Sequence, residues 1–263
     1  MNAKVSFNKN SAYYKLLQSV KNGSEPEVEK HIRQIRKEFP VLVIDKFSPS
    51  AIYILDYLHQ NYGYMSSSVE SIIGYPAEDF YKHGIAFTFS IIHPDDALVL
   101  TGKITQVFLN KLHTISPAQL NHYRFSWNYR ARRKDGKYIQ ILQQLTVALV
   151  DENRNPLLYV GTTSDISAFK TNNSIVFSVS KFDPDKKHFK EIENLLFASP
   201  NPLSQRETQI LKWIAGQKTN EEIASICNIS VHTVRAHRRK IHEKMKCKTI
   251  SAAISVAQSN QWI

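Results

Sequence analysis

The reading of this chain turns on Ile229-Ser230-Val231-His232-Thr233-Val234-Arg235-Ala236-His237-Arg238-Arg239-Lys240-Ile241-His242-Glu243-Lys244-Met245. Wound as a helix at about 100° per residue with His232 at zero, Val234, Ile241 and Met245 gather near 200°. His232, Arg235, Ala236 and Arg239 gather within about 60° of zero, on the opposite side. One side is apolar and expects a core, while the other offers a small residue between two guanidinium groups. Ser230 is the expected cap of this helix, which the spacing places from about Val231 to Met245.

Working outward, Ser204-Gln205-Arg206-Glu207 and Thr219-Asn220-Glu221-Glu222 each fit the S/T-x-x-E pattern, in which hydroxyl and carboxylate satisfy free amides at a helix start. The first precedes the stripe Ile210, Leu211, Ile214 and a stop at Gly216. The second precedes Ile223, Ala224 and Ile226. Asn228-Ile229-Ser230 is then a tight turn, and Thr249 caps a fourth, alanine-rich helix to about Gln258. Two short helices, a turn and a basic third helix make a helix-turn-helix.

The charge sits in the same place. The chain has 263 residues and a formal charge of +11. From position 201 onward it carries ten Lys/Arg against four Glu, which is +6 in the last 63 residues. A basic helix with this geometry suits the major groove of double-stranded DNA. Arginine grips O6 and N7 of guanine with two hydrogen bonds, and alanine permits close approach or meets a thymine methyl. His232, Arg235, Ala236 and Arg239 are therefore expected to read bases. Ser230, Thr233, Arg238, Lys240, Lys244 and Lys248 are expected at phosphates, which position without specifying.

These motifs resemble the LuxR-type DNA-binding domain. The resemblance rests on Leu203-Ser204-Gln205-Arg206-Glu207, Asn220-Glu221-Glu222-Ile223-Ala224 and Ile229 through His237, continued by Lys240-Ile241 and Lys244-Met245. It implies that Arg235, Ala236 and Arg239 face the groove. It also implies that the fourth helix supplies a dimer contact through Ile250, Ala253, Ile254 and Ala257, so that a homodimer reads two half-sites.

Upstream the pattern differs. Ser24-Glu25-Pro26-Glu27 opens a helix whose Val28, Ile32, Ile35 and Phe39 form one stripe, stopped by Pro40. That stripe suits packing on its own domain better than a dimerisation seam. Strands are expected at 51–57, 61–65, 123–133, 138–150 and 157–165. Lys134-Asp135-Gly136-Lys137 marks a hairpin. In His93-Pro94-Asp95-Asp96, proline and acids suit a helix start better than a metal cluster. A short strand at 175–179 and a helix from about Asp185 to Phe197, with Phe189, Ile192 and Leu196 on one side, precede the hinge Ala198-Ser199-Pro200-Asn201-Pro202.

Gly74 to Phe80, His93 to Asp96, Arg133 to Tyr138 and Gly161 to Ile166 together resemble a PAS sensor domain. The resemblance implies ligand sensing, dimerisation or both. Flavin–cysteinyl photochemistry is excluded because both cysteines, Cys227 and Cys247, lie beyond this region. Haem would need His59, His83, His113 or His122, and a lone histidine is more often a surface or core residue. The sequence requires no cofactor.

The expected fold class is α+β: a PAS-like antiparallel sheet with flanking helices, then an all-α four-helix domain. The boundaries are 1–40 for an N-terminal helical segment, 41–168 for the PAS-like domain, 169–200 for a linker and 201–263 for the helix-turn-helix. The expected function is sequence-specific transcriptional regulation in the cytoplasm, with no membrane span and no enzyme activity. Glycine-rich phosphate loops, metal-ligand spacing and an organised Ser/His/Asp set are all missing from the sequence. A small-molecule ligand and contact with RNA polymerase are both open to such a protein. Two alternatives are a response-regulator front end, because Val41-Leu42-Val43-Ile44-Asp45 mimics a receiver's first strand, and an interaction module that touches polymerase rather than DNA.

Overall fold

The computed structural model describes residues 10–20, 25–38, 48–170, 172–197, 201–245, 247, 249–260 and 262–263. The chain divides into two units, residues 1–170 with 175–197, and residues 171–174 with 198–263. Ser24, Phe39, Pro40, Val41 to Asp45, the first three hinge residues and Lys248 lie outside the described residues.

The first unit is built on one antiparallel sheet of β1 (Ser50–Asp56), β2 (Asn61–Met65), β3 (Tyr123–Arg132), β4 (Tyr138–Val150), β5 (Pro156–Asp165), β6 (Ile175–Asp183) and β7 (His188–Phe197). Their order is β2-β1-β5-β4-β3-β6-β7. The Asp-Gly hairpin forms as its residues dictate. Gly136 takes φ 86°, a left-handed value that glycine adopts without strain.

The expected linker helix is instead a strand. β7 pairs along its whole length with β6, from Ile175 opposite Phe197 to Asp183 opposite His188. The three-then-four spacing of Phe189, Ile192 and Leu196 imitates a helical stripe. Its cause is a bulge, for Val179 faces Glu193 and Ser180 faces Glu191, leaving Ile192 as an extra residue that breaks the period of two. Residues 175–197 thus extend the sheet, and Glu193 reaches Lys111 at 3.1 Å within the same unit.

Helices α1 (Ala12–Ser19) and α2 (Glu25–Glu38) precede the sheet. Tyr13, Leu16, Val20 and Val28 are buried in the unit's core, with Ile32 and Ile35 packed against it, so the N-terminal helices serve their own domain. Between β2 and β3 come α3 (Ser68–Ile73), α4 (Ala77–Ile91), α5 (Pro94–Val99), a π-helical turn over Leu100–Ile104 and α6 (Thr105–His113). Phe108 of α6 meets Phe125 of β3 edge-on at 4.8 Å, which fixes helix on sheet.

One polar cap fixes a helix start, and two polar clusters join distant parts. His93 caps α5 by accepting the Asp95 N–H at 3.3 Å. Buried Asp96 grips Arg130 of β3, accepting its backbone N–H at 2.7 Å and its guanidinium at 2.6 Å. His59 lies between Asp56 at 2.7 Å and Glu25 at 3.1 Å. The hydrogen bond to Asp56 is the main cause of its raised pKa, against a smaller opposing effect of burial. A raised folded pKa means a stabilisation present below about pH 6.5 and lost as pH rises through the raised value. His59→Gln should remove that dependence from thermal melts of the full chain between roughly pH 5 and 9. A wild-type melt flat over the same span would contradict it.

The second unit holds α7 (Gln205–Ala215), α8 (Asn220–Cys227), α9 (Val231–Met245) and α10 (Ile250–Ser259). Ile210, Leu211, Ile223, Val234, Ile241, Ala253 and Ala257 form its fully buried core.

Candidate nucleic-acid interface and ligand cavity

Both capping boxes close in both directions. Glu207 N–H donates to Ser204 Oγ at 3.3 Å while Ser204 N–H donates to Glu207 at 2.7 Å. The Thr219 box repeats this with Glu222, at 3.2 and 2.7 Å. α7 stops at Gly216 as expected, and the left-handed residue that follows is Gln217 (φ 60°). After α8, Asn228 takes φ 52° and the Ile229 N–H reaches back to Ala224 O at 3.0 Å. Asparagine tolerates that region better than most residues, and the bond closes the turn that aims α9. Ser230 Oγ then accepts the Thr233 N–H at 3.0 Å as the cap of α9.

On α9, Val234 and Ile241 are fully buried, while His232, Arg235 and Arg239 are exposed with Ala236 half-buried among them. The expected base-reading face is thus free within its unit. Among the described residues Arg239 approaches only Glu243, at 3.9 Å, and both side chains are well exposed, so this pair is weak. Lys240 is exposed as well.

Other expected phosphate residues have structural employment. Arg238 donates to Asn220 Oδ1 at 3.3 Å. Ser230 and Thr233 share a hydroxyl hydrogen bond of 2.8 Å beside the cap. Lys244 has an internal partner too: its ammonium lies 2.6 Å from the carboxylate of buried Glu207, tying the end of α9 to the first capping box. Burial pushes the Glu207 pKa up, but the Lys244 ammonium and Ser204 more than offset it and hold it below the ordinary range. A depressed carboxylate stabilises above its ordinary pKa and loses that as pH falls through the lowered value. Lys244→Ala should cost the unit about 1–2 kcal/mol, the low side reflecting a half-exposed ammonium, and shrink its acid sensitivity. Denaturation at neutral and acid pH reads both. A uniform loss of DNA affinity with unchanged stability would assign Lys244 to phosphate contact instead.

The expected dimer contacts on α10 also need correction. Ala253 and Ala257 are fully buried in the unit's own core, and Ile250 and Ile254 pack against it. Small residues four apart let α10 seat closely. The exposed side of that helix consists of Ser251, Ala252, Ser255 and Gln258.

The first unit encloses a cavity of about 100 Å³ between sheet and helices, lined by Tyr53, Tyr62, Phe80, Ile104, Tyr129 and Gln143 among others. Among the described residues no Asp, Glu, Lys, Arg or His lines it. Its polar groups are neutral and organised: Gln143 donates to Tyr53 Oη at 2.8 Å and accepts from Tyr129 at 3.0 Å. Tyr62 and Thr88 hydroxyls meet at 2.6 Å. Burial raises the pKa of Tyr53 and Tyr129 and pushes Tyr62 up to about 12, so these phenols stay protonated at neutral pH. Gly161 lets Tyr53 lie across β5, since any Cβ there would stand 2.5 Å from both the Tyr53 hydroxyl and the Gln144 carbonyl. Of the histidines weighed for haem, His83, His113 and His122 are exposed, and His59 is held by Asp56 and Glu25. None lines the cavity, so these residues do not fit a haem there.

Sheet, cavity, capped helices and an outward basic face together define a sensor-like domain followed by a helix-turn-helix. Residues 63–163 match the PAS fold, and residues 201–257 match the bacterial regulatory proteins of the luxR family. The first unit is thus similar to the PAS fold over residues 63–163, and the second to the luxR family over residues 201–257. Among curated proteins it is similar to the HTH-type quorum-sensing regulator RhlR of Pseudomonas aeruginosa, 42% identical over 65 residues, which are 24% of this chain and 27% of RhlR. It is also similar to the transcriptional regulatory protein DesR of Bacillus subtilis, 33% identical over 72 residues, 27% of this chain and 36% of DesR. The chain thus matches between about a quarter and a third of the length of these relatives. A solved structure of the Vibrio cholerae VqmA dimer, described as a LuxR-type receptor, is 16% identical, covering 83% of this chain and 86% of that one at a TM-score of 0.32.

Proposed function

We propose that this protein is a transcriptional regulator that reads specific DNA through α9 as a homodimer and responds to a small neutral molecule in its PAS cavity. The observation that carries the reading is the outward side of α9: exposed Arg235 and Arg239 with Ala236 between them, backed by fully buried Val234 and Ile241. Such a face can enter a major groove without repacking its own domain. Two-fold pairing of two chains would present two such helices to two half-sites.

The cavity supports the second half. A cavity of ~150 Å³ holds benzene in another protein, so about 100 Å³ suits a molecule no larger than a single ring. The Gln143 amide and the tyrosine hydroxyls favour a neutral ligand that both donates and accepts hydrogen bonds.

Enrichment of bound duplexes from a random pool at moderate salt tests the DNA reading, and a recovered two-fold sequence is expected. Failure to retain any duplex above the random background would favour the polymerase-contacting alternative. Native mass measurement of protein purified from its own host reports the subunit count together with any small molecule carried along.

A further inference from the structure

The sheet of the first unit has two edges, and they are built differently. β2 is covered. The Tyr81 hydroxyl stands where a further strand would, accepting the Met65 N–H at 2.8 Å and donating to the Met65 carbonyl at 3.1 Å. The Ile85 N–H of α4 donates to the Gln60 carbonyl at 3.0 Å, and Ile32 of α2 lies against Gly63. β7 ends the other side, and no described strand pairs beyond it.

The two halves of β7 also differ. Toward the hairpin turn, Lys190, Glu191 and the bulge at Ile192 are the usual protections of an open edge. Glu193 to Phe197 is regular, pairing residue by residue with Val179 to Ile175, and its one charge, Glu193, is engaged by Lys111. Val176 turns its N–H away from β7, to Asn128 Oδ1 at 2.8 Å. Ladder bonds alternate in an antiparallel pair. Leu196 opposite Val176 and Asn194 opposite Ser178 therefore turn their N–H and C=O groups outward. Leu196 is also 54% exposed, an apolar side chain on an unguarded edge.

These groups are self-complementary. A two-fold axis through Leu195 sets Asn194 opposite Leu196 of a second copy and Leu196 opposite its Asn194, so both residues exchange N–H and C=O bonds with that copy. The same axis places Leu195 beside Leu195, and the two Leu196 side chains on the diagonal, within reach of each other. An axis one residue earlier would set Leu196 against the bulge instead. We infer that the hinge-side half of β7 is the homodimer interface of the sheet unit, joining two copies edge to edge into one continuous antiparallel sheet. This rests on the homodimer reading above and locates its contact, whereas the apolar side of α10 is already buried in its own core.

The test uses the full chain, followed by sedimentation across micromolar concentrations. Asn194→Pro removes only an outward N–H, which an edge strand tolerates. Leu196→Lys places a guarding charge on the same edge. Each should raise the dimer dissociation constant at least about tenfold with melting unchanged. Should Asn194→Pro disturb hydrogen-exchange protection of β6, the exposed Leu196→Lys decides alone. Leu195→Cys puts two thiols on directly opposed residues about 4.5 Å apart at Cα, inside the disulfide range. Asn194→Cys leaves them about 7–8 Å apart on the diagonal, outside it. Oxidation should therefore couple Leu195→Cys chains and not Asn194→Cys chains, with the unaltered protein, which keeps Cys227 and Cys247, as the blank. Unchanged dimerisation in both edge variants, or coupling of Asn194→Cys alone, overturns the pairing about Leu195 and leaves the homodimer reading standing. A protein that stays monomeric both free and on its selected duplex overturns both.

Discussion

Replacing Asp96 with alanine is expected to cost the first unit about 3–5 kcal/mol, the largest single effect in the molecule. The reason lies in what remains. Arg130 has a side chain only 13% exposed and would keep its charge with Asp95, 3.8 Å away and largely in solvent, as its nearest carboxylate. The Arg130 backbone N–H, bonded to Asp96 at 2.7 Å, would lose its acceptor as well. Breaking a buried pair from one side strands the partner's charge, which costs more than the pair itself contributes. Asp96→Asn keeps the shape and part of the bonding, so it should lose less. Hydrogen-exchange protection of β3 and β4 amides measures the opening free energy of this unit separately from the other. A loss below about 1 kcal/mol for the alanine variant would show that water or Asp95 replaces Asp96 without penalty.

Asp96 also shows where sequence reading stops. Its place after His93-Pro94 explains a helix start, and the His93 cap forms, but Arg130 is 34 residues away and leaves no local signature. The same holds for Lys244 and Glu207, separated by 37 positions, where the basic residue is indistinguishable on a helical wheel from a phosphate contact. The features that were legible are local. Each capping box spans four residues, the core stripe of α9 spans three turns, and an Asp-Gly turn needs only its own φ preference. β7 reads as a helix because one bulged residue, Ile192, converts alternation into helical spacing. The turn at Asp183-Pro184-Asp185, with an Asp183 carboxylate bonded to two following N–H groups, was the signal that could have shown a hairpin. On α10 the alanines gave the right helix and the wrong side, since a small residue suits a close partner chain and a close partner helix equally.

The α9 assignment makes the second large prediction. Arg235→Ala and Arg239→Ala should each lose about 1–3 kcal/mol, roughly 5- to 150-fold, on the selected duplex and far less on a random one. Each should relax preference at particular base pairs. Arg239 pays little to leave Glu243, because a 3.9 Å contact between exposed side chains is screened by water and salt. Lys240→Ala should behave differently, weakening every duplex alike and flattening the salt slope by about 0.9. The decisive variant is Arg235→Lys. It keeps the positive charge, so the salt slope should hold, but a single ammonium cannot make the planar two-point grip on guanine, so specificity should fall nearly as far as with alanine. Were Arg235→Lys to keep both slope and preference, Arg235 would be acting as a phosphate contact, and base recognition would have to be sought at His232 and Arg239 on the same exposed side of the helix.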